Sequence, residues 1–302
     1  MLQADHLPHA FMFAGIEGIG KKLTAFALVK ALNCLEQTGD ACCRCLSCRK
    51  IDKLMHPDVH VVEPEKEIIK IDQVLSLQQT LAYKPMEGRM KAVIIDRADT
   101  MNLHAANCLL KTLEEPPPQT VLILIVGEAA GMLPTILSRC QRINFYPLND
   151  ETVRELLVAA GVDETAAADI IMHARGSLQR AHDLLDSDYL QRRSMVVSML
   201  VGQQTSGRAQ LLDAVQQLVK DKEGLPIMLE FMLEWYRDVA MIKAGVADEL
   251  LYNADVREQM HSASAGLSLG QAMQKANRVI GLQQMSRFNV DMQLGLESLM
   301  LS

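Results

Sequence analysis

The sequence predicts an α/β fold in which a parallel five-stranded sheet, clothed by helices, fills roughly the first half and helices alone fill the rest. Three observations predict it. Short Val/Ile/Leu-rich runs alternate with segments of helical periodicity up to Pro147. The runs are continuously apolar, as strands buried on both faces of a parallel sheet must be. Beyond Pro147 the strand signals stop.

The elements follow in order. Ala10–Ala14 is an apolar run ending in Gly15, a strand entering a turn. Leu23–Leu32 has helical spacing. Val59–Val62 is a second strand, closed by Pro64. Val74, Leu77 and Leu81 share a helix face, with Asp72 expected as the N-cap and Ile71 ahead of it. Lys91–Asp96 is a third strand with its carboxylate at the C-terminal end. Leu103, Ala106, Leu109, Leu110 and Leu113 make an amphipathic helix, stopped by Pro116-Pro117-Pro118. Val121–Val126 is the fourth strand and Arg142–Phe145 the fifth. Residues 150–186 hold two or three short helices broken at Gly161 and Gly176. From 187 onward the pattern is helical, with breaks at Gly202, Gly207, Gly224-Leu225-Pro226 and Gly245. The expected domains are therefore 1–149, 150–186 and 187–302.

Composition narrows the function classes. Of 302 residues, 49% are hydrophobic, enough for real cores and too many for a largely disordered chain. A net charge of −7 argues against gripping nucleic acid through a generally basic surface. The longest apolar run, Val121–Val126, is far short of the about 20 residues that span a bilayer. The first residues show neither a basic segment nor a long apolar one, so no export signal is expected and the reading is a cytoplasmic, reducing location. There the seven cysteines are expected as thiols or metal ligands, not disulfides.

Gly15-Ile16-Glu17-Gly18-Ile19-Gly20-Lys21 fits G-x-x-x-x-G-K between a strand and a helix. Such glycines let backbone N–H groups turn inward around phosphates, and the lysine adds charge at the terminal ones. Two parts of the chemistry are missing. The hydroxyl that would ligate Mg²⁺ is replaced by Lys22, and Thr24 lies on another face. Asp96 ends the third strand as a metal-side carboxylate, but the next residue, where a water-polarising glutamate is needed, is Arg97. Nucleotide binding and a purely structural glycine turn both stay open.

Cys34, Cys42, Cys45 and Cys48 give C-x₇-C-x₂-C-x₂-C, a donor set suited to tetrahedral structural Zn²⁺. Arg44, Arg49 and Lys50 would offset its negative charge. Cys43 is read as a bystander and Cys108 as core. The histidines show no catalytic or metal spacing, and no nucleophile–base pair or carboxylate set for two-metal nucleotidyl transfer is visible.

Leu137-Ser138-Arg139-Cys140 sits between the fourth and fifth strands. With Leu7-Pro8-His9-Ala10-Phe11, Gly15–Lys22, the cysteine module, His56-Pro57-Asp58-Val59, Lys70-Ile71-Asp72-Gln73, Leu109–Pro117 and Leu133–Cys140, the chain resembles the clamp-loader branch of the AAA+ ATPases, and within it the delta-prime family of bacterial DNA polymerase III. Glu234-Trp235-Tyr236-Arg237-Asp238 is a weaker match. The resemblance is dense over the first 150 residues and thin beyond.

The resemblance implies a RecA-like AAA+ domain, a helical lid and a helical collar that helps form an open five-membered ring. Its partners would be the gamma/tau ATPase subunits and the delta subunit, with the sliding clamp and primed DNA reached through the assembly. ATP sits between neighbours, and the Ser-Arg-Cys arginine, here Arg139 flanked by Ser138 and Cys140 at the interface, enters the neighbour's site as an arginine finger. Lys22 and Arg97 depart from the motor pattern. So do Val126-Gly127 at the sensor position, Gln179 where a lid arginine belongs (Arg180 comes one place late) and the six residues ahead of Leu7. All point to a non-hydrolysing rigid jaw. The alternatives are an active gamma/tau-type ATPase and a zinc-stabilised interaction protein outside replication.

Overall fold

The computed structural model describes residues 7–36, 39–186, 188–203, 207–286 and 291–301. The chain divides into two compact units, 1–182 and 183–302, so the helices expected as a lid group with the sheet.

In the first unit β1 (Ala10–Ala14), β2 (Val59–Val62), β3 (Lys91–Ile95), β4 (Thr120–Val126) and β5 (Gln141–Asn144) form one parallel sheet of order β2-β3-β4-β1-β5. β1 lies between β4 and β5, with Phe13 level with Ile125 and Ile143. The loop at Gly15 therefore leaves the C-terminal edge near the centre of the sheet, where ligands of open α/β folds bind.

Side chains alternate across the sheet, as the two-residue strand period requires. Met12, Val93, Ile95, Leu122 and Leu124 face α3 (Ile71–Leu81), α4 (Leu103–Glu114) and α5 (Pro134–Leu137). Phe11, Phe13, Ala92, Ile94, Val121 and Ile123 face α1 (Lys21–Asn33) and α2 (Leu46–Asp52), which supply Ala25, Val29 and Ile51. β1, β3 and β4 are buried at every position, which is why they are apolar, whereas β2 is half-buried and the edge strand β5, Gln141-Arg142-Ile143-Asn144, is mostly polar and exposed.

α3 begins two residues earlier than the sequence suggests. Lys70, not Asp72, is its N-cap: Gln73 Oε1 accepts from the Lys70 amide at 3.0 Å, the half of a capping box that needs no acceptor on the cap side chain. The segment between α3 and β3 is fixed by a fully buried carboxylate. Asp58 accepts from the amides of Met86, Glu87 and Gly88 at 2.7, 2.8 and 2.7 Å. Burial opposes its charge, but those three amides, helped by His56, hold its pKa below the ordinary aspartate value. The unit ends in α6 (Asp150–Ala159), α7 (Glu164–Ala174) and the first half of α8 (Leu178–Asp186).

The second unit is helical: α9 (Tyr189–Gly202), α10 (Arg208–Lys220), α11 (Leu225–Lys243), α12 (Arg257–Ala263), α13 (Leu269–Met285) and α14 (Met292–Leu301). The expected breaks recur as the end of α9 at Gly202, the N-cap of α10 at Gly207 and the proline in the first turn of α11. Trp235 and Tyr236 are core residues of α11, and the rings of Tyr189 and Phe231 pack 4.8 Å apart. No helix among the described residues is long and apolar enough to cross a membrane.

Candidate nucleotide loop, metal centre and interface arginine

The loop after β1 has the shape its glycines predict. Gly18 and Gly20 both take positive φ, +78° and +92°, and Gly20 caps α1. Its interior is filled by the chain itself. Lys21, 6% exposed, turns back to donate from Nζ to the carbonyls of Gly15 and Ile16. Burial pulls its pKa down, against the pull of Glu17, Asp96 and Asp99. The Gly18 carbonyl accepts from the Leu178 amide at 3.0 Å, so the loop caps the N-terminus of α8.

Lys22 occupies the metal-side position. Its Nζ lies 2.8 Å from Asp96 Oδ2 and 2.5 Å from Glu63 Oε1. Burial disfavours the ammonium, but hydrogen bonds to both carboxylates raise its pKa overall. A side-chain cation is thus held between two carboxylates at the position where a hydroxyl ligand would stand. Thr24 Oγ1 donates to the Gly20 carbonyl at 3.0 Å and is spent there. Glu63 is a site residue that the sequence reading missed. Only the strand pairing reveals it: the β2–β3 register pairs Val62 with Ile95, so residue 63 arrives beside Asp96.

The other motor positions are also tied up. Arg97 adopts φ +51° and caps a short 3-10 turn, and its amide donates to Asp96 Oδ1. At the sensor position the Gly127 amide donates to Asp99 Oδ2 at 3.2 Å. Arg180 Nε donates to the His173 carbonyl of α7 at 2.5 Å, and its amide to Ser177 Oγ at 3.1 Å.

The four cysteines converge. The Sγ atoms of Cys34, Cys42, Cys45 and Cys48 all lie within 4.8 Å of one another. Tetrahedral zinc with bonds of about 2.3 Å needs sulfurs about 3.8 Å apart, so a slight contraction fits it. The Cys45 amide donates to Cys42 Sγ at 3.3 Å and the Cys48 amide to Cys45 Sγ at 3.5 Å. Burial opposes the Cys45 thiolate, yet the amides of Cys48 and Leu35 and the neighbouring thiols bring its pKa down to about 6. Burial, then the hydrogen bond to the Cys45 sulfur, pushes Cys48 up to about 12. Cys43, at φ +55°, points out of the group as expected and receives a hydrogen bond from Lys30. The expected charge compensation is weaker than the spacing suggested: Arg44 pairs with Glu36 at 2.8 Å and Lys50 with Glu87 at 2.5 Å. These residues can hold a metal ion.

Arg139 follows α5 and is partly exposed. Its Nη2 lies 2.8 Å from Glu114 Oε1, and Nη1 donates to the Thr135 carbonyl at 2.9 Å and to Ser138 Oγ at 3.2 Å. Ser138 Oγ in turn donates to Thr135 O at 3.1 Å. Cys140 packs against the sheet core, and burial pushes its thiol up to about 11.

Residues 1–149 match the family described as "DNA polymerase III, delta subunit", and 187–302 match "DNA polymerase III, delta subunit, C terminal". DNA polymerase III subunit delta' of Bacillus subtilis is 34% identical over 255 residues, 83% of this chain and 77% of the relative. Subunit delta' of Pseudomonas aeruginosa is 31% identical over 308 residues, 99% of this chain and 92% of the relative. Subunit tau of Escherichia coli is 30% identical over 230 residues, 72% of this chain and 35% of that longer protein. A solved gamma subunit-related protein from Thermotoga maritima has a TM-score of 0.44 and 17% identity, covering 97% of this chain and 93% of its own. Two relatives aligned over most of their length agree with both family matches, and the sheet carries its glycine loop after a central strand: the chain belongs to the delta-prime family of bacterial DNA polymerase III clamp-loader subunits.

Proposed function

We propose that this chain is a non-hydrolysing jaw of the loader, working in the cytoplasm, and that its Arg139 completes the ATP site of an adjacent gamma/tau subunit. The delta subunit would be the other jaw, and the assembly would open a sliding clamp and place it on primed DNA. One observation carries the reading: the Lys22 ammonium lies between Glu63 and Asp96, where a motor needs Mg²⁺. A second lysine, Lys21, bonds its own loop instead of a phosphate. ATP would have to displace both. Structural Zn²⁺ on Cys34, Cys42, Cys45 and Cys48 would cross-link the insert between α1 and α2 to the body of the domain.

The arginine acts by charge. A guanidinium brought against the γ-phosphate across a subunit boundary stabilises the charge that develops during transfer, and such fingers contribute about 10³–10⁵ in rate. The test has two arms. ATP binding and hydrolysis followed together on the isolated chain with Mg²⁺ should give no turnover. Turnover abolished by Lys21→Ala would make the chain a motor and overturn the reading. In the reconstituted loader, Arg139→Ala should collapse DNA-stimulated ATPase; an unchanged rate removes the finger.

A further inference from the structure

We propose that Glu114 is a positioning residue for Arg139, holding the guanidinium in reserve on the end of α4 and releasing it when a neighbour's phosphate arrives. The inference rests on the finger reading above and adds to it a resting state. Three observations lead to it.

The guanidinium is held at two edges. Thr135 O and Ser138 Oγ, both at the α5 turn, take Nη1, while Glu114 Oε1 takes Nη2 at 2.8 Å. The first pair sets the plane of the group. The carboxylate meets its charge. An incoming phosphate therefore needs to displace only Glu114, and the α5 contacts keep the arginine aimed meanwhile.

Glu114 stands where a carboxylate is poorly served by its own helix. It is the last residue of α4, followed by Glu115 as the C-cap. The C-terminal end of a helix carries partial negative charge and favours cations. Arg139 supplies that cation from the end of α5, which packs against α4, so each side chain answers a need of the other.

The pair is also weak enough to exchange. The Arg139 and Glu114 side chains are 35% and 51% exposed, and ion pairs this open to water contribute little. A phosphate oxygen inside a subunit interface, shielded from water, makes a stronger charge-assisted bond. Exchange thus runs toward the phosphate when the interface closes and back to Glu114 when it opens.

The experiment uses the reconstituted loader and compares wild type, Glu114→Gln, Arg139→Ala and the double variant, with and without clamp and primed DNA. With the reserve contact weakened, Glu114→Gln should raise resting ATP turnover about threefold, the scale of one exposed ion pair. The fully stimulated rate should change little, and the double variant should lose the gain. Raising salt should bring wild-type resting turnover toward that of Glu114→Gln, because an exposed pair is screened. Resting turnover unchanged or lowered by Glu114→Gln, with Arg139→Ala still crippling, overturns the reserve state and leaves the finger intact. Arg139→Ala without effect in either background removes the finger reading itself. A melting temperature lowered by more than about 3 °C in Glu114→Gln, a loss of more than about 1 kcal/mol for a unit of this size, would make Glu114 a structural residue and overturn the proposal.

Discussion

Gly18→Ala is the sharpest test of whether loop and α8 are locked together. Two costs can be worked from the coordinates. Gly18 has φ +78°, and an alanine held in the left-handed region costs about 1–2 kcal/mol. Its Cβ would lie 2.2 Å from Ser177 Oγ and 2.6 Å from Gln179 Cβ. Neither atom yields easily: Ser177 Oγ accepts from the Arg180 amide at 3.1 Å, and Gln179 Cβ is fixed to the first turn of α8. Overpacking of this kind costs about 1–3 kcal/mol. Alternatively α8 backs away and the Leu178-to-Gly18 hydrogen bond is lost, about 1 kcal/mol. The cheaper route governs, so the expected loss is about 2–3 kcal/mol. Gly20→Ala is the control. Gly20 also has positive φ, +92°, but nothing lies within 4 Å of its added Cβ, so only the same backbone strain applies, about 1–2 kcal/mol. Urea denaturation followed by circular dichroism gives the two losses, and amide exchange at Leu178 reports the contact directly. Equal losses for the two variants, with Leu178 protection unchanged in Gly18→Ala, would refute the locked geometry.

Other consequences follow from the metal cluster and from the buried aspartate. Fresh reduced protein should carry about one zinc per chain, bound by four of its seven thiols, and chelation should raise the reactive thiol count by four. Elemental analysis and thiol titration check both, and protein free of zinc would end the assignment. Cys48→Ser, at a buried ligand, should abolish binding, whereas Cys43→Ser should not change it. For Asp58 the folded carboxyl titrates below the unfolded one, so the unfolded chain binds more protons in between and stability rises with pH there. That contribution is complete above the unfolded value of about 4 and is lost as pH falls through the folded value. Asp58→Asn should cost about 2–3 kcal/mol at neutral pH by weakening three amide bonds and should flatten the acid limb. Urea midpoints between pH 2.5 and 7 measure it; parallel limbs would show that Asp58 is not responsible.

What could be read in the sequence was what repeats or lies close along the chain. β1 and β2 match the apolar runs residue for residue, and Asp96, expected as the last residue of the third strand, stands just past its end. The cysteine spacing led to the cluster because its members fall within one short insert. The capping of α3 was misread because Asp72 is the better intrinsic cap, yet Gln73 three residues after Lys70 secures the earlier start. The rest depended on packing. Glu63 meets Lys22 across 41 residues through the β2–β3 register, and Gly18 meets Leu178 across 160 through the fold of α8 onto the loop. Arg44 and Lys50 illustrate the same limit: proximity to the cysteines in sequence did not prevent Glu36 and Glu87 from claiming them.

On the proposed reading, the contacts within the loop would let a phosphate-binding shape persist without phosphate. In an ATPase the nucleotide and its metal bring opposite charges to this place, and the loop and lid close around them. Here the chain brings its own. Lys22 supplies positive charge to Asp96 and Glu63, Lys21 satisfies the carbonyls of Gly15 and Ile16, and the Gly18 carbonyl caps α8. Every one of these groups is covalently part of the domain, so closure costs no association entropy and cannot be undone by ligand departure. On the proposed reading that permanence is useful. A subunit whose lid does not follow an ATP cycle keeps the α5 turn, and with it Arg139, in one place relative to the sheet. Lys22, standing where a motor needs the metal-side hydroxyl, would then remove turnover while leaving the shape of the loop intact.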